Sequence, residues 1–221
     1  ILASAQLFSD RLSALPDPTV QRFAPKLLRT IDRAVDYTKS VIDYGKALEA
    51  PPKRRALLLK SIVDDVAELL GLENDSRFDW KNKVDREFKA DADPEQLFRI
   101  LMNLCRNAQQ AMNDLDDDAR IMQLCVEAER EGSNVNIYVK DTGPGIPEHV
   151  REKIFNAFQG STKADGTGLG MSIAYELVKA HGGTIDVERT GADGTTFLVQ
   201  LPDALAEAWN GNHDPGLTNG A

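Results

Sequence analysis

Residues 141–170 read DTGPGIPEHVREKIFNAFQGSTKADGTGLG. An aspartate-led glycine turn, Asp141-Thr142-Gly143-Pro144-Gly145, opens this stretch. A second glycine turn, Gly166-Thr167-Gly168-Leu169-Gly170, closes it. Upstream, Asn103-Leu104-Cys105-Arg106-Asn107-Ala108 puts two asparagines four residues apart, on one face of a helical pattern. A single Gly-Pro-Gly loop after an Asx turn would say little. The ordered set says more. Alternation over Val135 to Lys140 predicts a strand that delivers Asp141 at its end. A carboxylate there can accept a hydrogen bond from an exocyclic amino group. Adenine carries one at C6, where guanine carries a carbonyl, so Asp141 favours adenine. Gly143 and Gly145 let the backbone turn tightly and lie against a flat base. The second glycine turn precedes a helical pattern, so its backbone N–H groups and the positive end of the helix can face a polyphosphate. It is not a Walker loop, which needs G-K-[ST], nor a dinucleotide loop, which follows a strand directly. Asparagine carbonyls are suitable hard ligands for Mg²⁺, and their amides can reach phosphate oxygens. Two aligned asparagines on an otherwise apolar helix are costly unless satisfied, by a ligand or by neighbouring loops. Together these features describe a pocket for a purine nucleotide and its metal-bound phosphates.

Residues 156–166 are small, polar and glycine-flanked, a composition that suits a lid over bound ligand. Lys163 is the one cation in that stretch and can either touch the terminal phosphate or remain solvated. Ile154, Phe155 and Phe158 are expected to anchor the root of the lid in the core.

Outward from this centre the chain divides. Residues 1–15 carry Leu2, Ala5, Leu12 and Leu15 on one helical stripe, which Pro16-Asp17-Pro18 breaks. A second helix is predicted from Thr19 to Ala47. Val20, Phe23, Leu27, Ile31, Ala34, Thr38, Val41 and Gly45 form a seam with steps of three and four. Pro25 is placed in its first turns, where a missing N–H matters least. Two helices bury little surface, so residues 1–48 are read as a helical hairpin that pairs with a second copy as a dimeric four-helix bundle. Packing on the rest of the same chain is the alternative. Residues 49–56, with Pro51-Pro52-Lys53-Arg54-Arg55, read as a linker. Residues 57–202 mix strands and helices without a βαβ repeat, giving an α+β sandwich with one mixed sheet and helices on one face. Strand patterns cover Arg77 to Val84, Asp85 to Ala90, Ile121 to Glu129, Asn134 to Lys140, Thr184 to Glu188 and Thr195 to Leu201. Asp93-Pro94 starts a helix to Met112, with Asp as cap and Pro at the first position. Leu169 to Ala180 forms another, stopped at His181-Gly182-Gly183. Residues 203–221 read as a frayed tail.

Bulk properties narrow the classes. The chain has 221 residues, 42% of them hydrophobic, which supports a true core. A net charge of −9 argues against nucleic acid as the main partner, since phosphate neutralisation needs clustered base. Cys105 and Cys125 lie in apolar patterns and read as free thiols, consistent with a reducing, cytoplasmic setting. No apolar run approaches the ~18 residues of a membrane span. A start at Ile1, inside an amphipathic pattern, reads as a fragment whose membrane attachment, if any, lies elsewhere.

The set Asn103/Asn107, Asp141-Gly143-Gly145, Phe155/Phe158 and Gly166-Gly168-Gly170 resembles the N, G1, F and G2 boxes of bacterial two-component sensor histidine kinases. These share the Bergerat ATP-binding fold with gyrase, mismatch-repair and heat-shock chaperone ATPases. The resemblance covers residues 55–201; the helices at 1–48 resemble, less specifically, the dimerisation and histidine phosphotransfer bundle of the same kinases. It implies that Asn107 ligates Mg²⁺, with Asn103 assisting at the phosphates, and that Asp141 reads the adenine amino group. It implies that Gly143, Gly145, Gly166, Thr167, Gly168, Leu169 and Gly170 line the ATP site, and that Thr195 completes the adenine pocket. Hydrolases of this fold keep a glutamate four residues before the metal asparagine; here Asn103 stands there. Without that base water is poorly activated, and the γ-phosphoryl is kept for another nucleophile. The resemblance departs in one respect. The acceptor motif H-[DE]-x-R-[NT] is absent, and His149, His181 and His213 are poor substitutes. The acceptor is expected shortly upstream of Ile1, so this chain should bind ATP without phosphorylating itself. A response-regulator aspartate is the implied final acceptor. Three rivals remain: a phosphotransfer adaptor or pseudokinase, a serine/threonine kinase of the same fold, and a hydrolytic clamp.

Overall fold

In chain order, the computed structural model contains α1 (Pro18–Glu49), β1 (Arg55–Leu58), α2 (Leu59–Leu70), β2 (Phe78–Asn82), β3 (Lys89–Ala92), α3 (Pro94–Asn113), β4 (Met122–Glu131), β5 (Asn134–Asp141), α4 (Glu148–Arg151), α5 (Gly170–Ala180), β6 (Thr184–Gly191) and β7 (Gly194–Pro202). The described residues are 17–49, 51–113, 115, 122–158 and 168–204. The predicted helix over 1–15, Lys163, Gly166, Thr167, His213 and most of the tail therefore lie outside them.

Alternating side chains build the main layer. Val135, Ile137 and Val139 of β5 are buried on one face, as are Leu124 and Val126 of β4 and Phe197, Val199 and Leu201 of β7. Those strands form a five-stranded sheet in the order β2-β4-β5-β7-β6, mixed because β2 runs parallel to β4 while the other neighbours are antiparallel. Leu59, Val63 and Val66 of α2, Leu97, Ile100, Leu101 and Leu104 of α3, and Ala174, Leu177 and Val178 of α5 join the same core. The other face of the sheet is polar: Glu127 receives both Lys83 and Lys140, and Gln123 donates to Asp79. Lys140 and Lys83 draw the Glu127 carboxyl down to about 2. This is the two-layer α+β sandwich predicted, with one addition. β1 and β3 pair as a separate two-stranded antiparallel sheet. Residues Asp85–Phe88, expected as strand, form the turn that leads into β3, with Phe88 N donating to Asp85 O.

The ends of the predicted segments are more firmly tied than composition suggests. β1 begins at Arg55, inside the stretch read as linker. Lys53 N donates to Asp93 Oδ2 at 2.8 Å. The Arg54 guanidinium donates to the carbonyls of His181, Asp91 and Pro202. At the other boundary, Asp203 is 4% exposed and ion-paired with Arg130. Pro25 lies well inside α1 and not in its first turn, so it removes a mid-helix donor. Along the predicted α1 seam, Phe23 is 54% and Leu27 58% exposed, and Val41 is also exposed.

Candidate functional site

α3 carries both asparagines, and its start is built as the sequence predicts. Asp93 Oδ1 accepts from the amides of Glu95 and Gln96 at 3.0 and 3.1 Å, capping the first turn. Burial pushes the Asp93 carboxyl up, but the amides of Gln96, Lys53 and Glu95 outweigh it and hold the group below its usual range. Asn103 Nδ2 donates to Arg99 O at 2.9 Å, which leaves Oδ1 as its outward acceptor. A Cβ added at Gly170 would come within 3.1 Å of that Oδ1, so the start of α5 lies directly beside Asn103. Asn107 is half-buried and makes no side-chain hydrogen bond among the described residues. A free amide one turn from a partly engaged one is what a ligand between α3 and α5 requires.

Asp141 ends β5 opposite Thr195 on β7. Its Oδ1 accepts from Gly143 N at 2.8 Å and from Thr195 N at 3.2 Å. Its Oδ2 has no partner among the described residues. Burial raises the Asp141 carboxyl above the usual range, and the amides of Gly143 and Thr195 oppose that rise. A Cβ at Gly143 would approach Asp141 Oδ1 to 2.9 Å and press on the carboxylate. Gly145 has φ +80, and a Cβ would meet Gly191 O at 2.3 Å. The loop after Asp141 is therefore pressed against the β6–β7 turn. Thr195 is 5% exposed, and its Oγ1 lies 3.3 Å from that of Thr190.

The second glycine turn is seen from Gly168 on. Gly168 has φ +66 and accepts from Phe158 N at 3.2 Å. Leu169 is fully buried, so what it can offer a ligand is backbone. Ile154 is buried, and Phe155 stacks on Tyr175 at 5.6 Å and meets Phe197 edge-on at 6.5 Å, anchoring the segment as expected. Phe158 does not share that anchor. It is 57% exposed, has φ 64, and lies 6.4 Å from Tyr37 of α1. The positive φ turns its side chain out of the core and toward the helix.

Three residues near Asp141 escaped sequence reasoning. Gly194 has φ +126, and a Cβ would sit 1.9 Å from Asp141 O. Gly191 supplies the surface on which Gly145 rests, and Thr190 Oγ1 accepts from Ile146 N at 2.7 Å. All three looked like ordinary hairpin residues, because their juxtaposition with Asp141 is set by strand register. Among the histidines, His149 is exposed on α4. His181 is 2% exposed and structural: its Nδ1 lies 2.8 Å from Leu177 O and its Nε2 accepts from Asp93 N at 3.1 Å. Both cysteines are free, and burial pushes the Cys105 thiol up to about 12.

The family model described as histidine kinase-, DNA gyrase B-, and HSP90-like ATPase matches residues 92–205, more than half of the chain. The chain belongs to this ATPase family. Within it, the similar proteins are bacterial sensor kinases. The C4-dicarboxylate transport sensor protein DctB of Rhizobium meliloti (strain 1021) is 43% identical over 109 residues, 49% of this chain and 17% of that protein. The sensory histidine kinase/phosphatase NtrB of Escherichia coli O157:H7 is 31% identical over 206 residues, 90% of this chain and 56% of its own length. Among solved structures, histidine kinase ThkA in complex with response regulator protein TrrA matches with a TM-score of 0.67 and 25% identity, over 93% of this chain and 58% of that one. The chain thus spans between about a sixth and just over half of these curated relatives. The matched residues 92–205 are similar to the ATP-binding domain of bacterial sensor histidine kinases, and the α+β sandwich is the Bergerat fold. Asn103, Asn107, Asp141, Gly143, Gly145, Gly168, Gly170 and Thr195 all fall within the matched span. No helix among the described residues is long and apolar enough to cross a membrane.

Proposed function

We propose that this chain is the kinase core of a two-component sensor histidine kinase. It binds Mg²⁺·ATP between α3, the loop after β5 and the start of α5. It directs the γ-phosphoryl to a histidine upstream of Ile1, from which a response-regulator aspartate takes it. The observation that carries the reading is the split environment of Asp141, with Oδ1 fixed by two amides and Oδ2 left to accept from adenine.

The donor set suits magnesium. No cluster of three or more His, Cys, Asp or Glu that could hold a metal occurs among the described residues. A metal bound through one side-chain carbonyl, the phosphates and waters is how Mg²⁺ is commonly held at nucleotide sites. Asn107 would be that ligand, with Asn103 beside it at the phosphates. Bound Mg²⁺ would neutralise phosphate charge. The amides at the start of α5 would face the polyphosphate, and Lys163, Gly166 and Thr167 are the further residues assigned to the ATP site. Asn103 has no basic oxygen to activate water, so the site holds the nucleotide in position and leaves its phosphoryl group for the histidine. The ThkA–TrrA complex supports a receiver-domain partner, and the exposed seam of α1 supports a homodimer through residues 1–48.

Incubation with γ-labelled Mg²⁺·ATP tests the reading. The chain should bind ATP and take no label. Acid-stable label would point to serine or threonine transfer, and acid-labile label would place an acceptor histidine within the chain and contradict the proposal.

A further inference from the structure

β6 contains an irregularity that changes which of its side chains meets the nucleotide loop. Val187 pairs with Phe197, but Arg189 pairs with Thr196, so Glu188 is an extra residue in the strand. Regular pairing would carry Arg189 to the position opposite Thr195. The bulge puts Thr190 there instead, since inserting one residue re-aims every side chain that follows. Cross-strand partners share a face, so the Thr190 hydroxyl comes within 3.3 Å of the Thr195 hydroxyl. The same oxygen accepts the Ile146 amide at 2.7 Å, immediately beyond Gly145. Gly145 in turn lies against Gly191, where no Cβ would fit.

We propose that Thr190 is a positioning residue for adenine recognition, aimed by the bulge at Glu188. Resting on the assignment of Asp141 to the adenine amino group, this adds the residue that holds the Asp141 loop in register. A hydroxyl has one proton and two acceptor sites. Having accepted from Ile146 N, Thr190 keeps its proton and one acceptor site for the Thr195 hydroxyl, and either of the two can be the donor. Thr195 N holds Asp141 Oδ1, so one chain of contacts runs from the loop through Thr190 and Thr195 to the carboxylate. No side chain other than Ser or Thr at position 190 supplies both an acceptor and a donor on so short a stem.

The test compares Thr190→Val and Thr190→Ser with the unaltered chain, titrating ATP and ITP, whose base has a carbonyl in place of the 6-amino group. The unaltered chain should prefer ATP. Thr190→Val should bind ATP about tenfold more weakly and lose most of its preference over ITP, because the Ile146 amide is left without its acceptor. Thr190→Ser should restore both. The proposal is overturned if Thr190→Val keeps the affinity and preference of the unaltered chain. It is equally overturned if Thr190→Ser is as impaired as the valine variant, since the methyl group would then be what matters. No preference for ATP in the unaltered chain would instead overturn the adenine assignment itself, and this proposal with it. Melting temperatures taken alongside identify a valine variant that fails to fold, in which case the serine variant alone decides.

Discussion

The two oxygens of Asp141 stand in different surroundings, and that difference makes its substitution informative. Asparagine at 141 keeps an acceptor for the amides of Gly143 and Thr195 but replaces the outer oxygen with a donor. Asp141→Asn is expected to weaken ATP at least about tenfold, the scale of one polar contact turned repulsive, and to improve ITP relative to ATP. Titration calorimetry with both nucleotides measures this. The sign of the effect on stability is the opposite. Burial raises the carboxyl's pKa in the folded state above its unfolded value, so its ionised form weighs against the fold at neutral pH. The nucleotide-free Asp141→Asn protein should therefore melt no lower than the unaltered chain. Gly194→Ala has no such tolerance, because φ is +126 and a Cβ would overlap Asp141 O. A loss of about 3 kcal/mol by chemical denaturation is expected. Asp141, Gly143 and Gly145 were legible in the sequence because their chemistry is local. Thr190 and Gly194 were not, since no local pattern announces a bulge in one strand or the residue it brings opposite Thr195.

The helices and strands tell the same story one level up. The Asp93-Pro94 start of α3 and the glycine stop after α5 were readable from caps and turns. The pairing of β1 with β3 was not, because alternation identifies a strand and not its partner. Nor was the outward turn of Phe158, which follows from a positive φ rare in a non-glycine residue. The meeting of α3 and α5 at His181 yields a prediction. Burial is the main cause lowering the pKa of His181 in the folded protein, helped by the nearby Arg54 and opposed by the Leu177 carbonyl and by Asp93 and Asp91. The unfolded chain then takes up the proton first as pH falls. The stability from neutral His181 is present above about pH 6.5 and is lost as pH falls below it toward the lowered folded value. A plot of melting temperature against pH should fall through that window, and His181→Gln should flatten it. Carboxylates such as Glu127, held near 2, act only at lower pH.

At the scale of the whole molecule, α1 presents exposed apolar side chains. Phe23, Leu27, Ile31 and Val41 are exposed along one seam, an arrangement expected of a surface that pairs. Leu27→Glu combined with Val41→Glu should convert a dimer to a monomer in sedimentation velocity while leaving ATP binding intact. That Lys53 and Arg54 are locked onto the ATP-binding body was not legible in a stretch whose composition reads as linker, because their partners lie far along the chain. The central claim is that the site holds ATP and withholds it from water. Its most direct measurement follows bound nucleotide and released phosphate together, with Mg²⁺·ATP and the chain in one sample and an Asn107→Ala control in another. The account predicts saturable binding that the control lacks, with phosphate release far below about one per second, the low end of ordinary enzyme turnover. Absence of saturable binding, or steady release at that rate or faster, would contradict it.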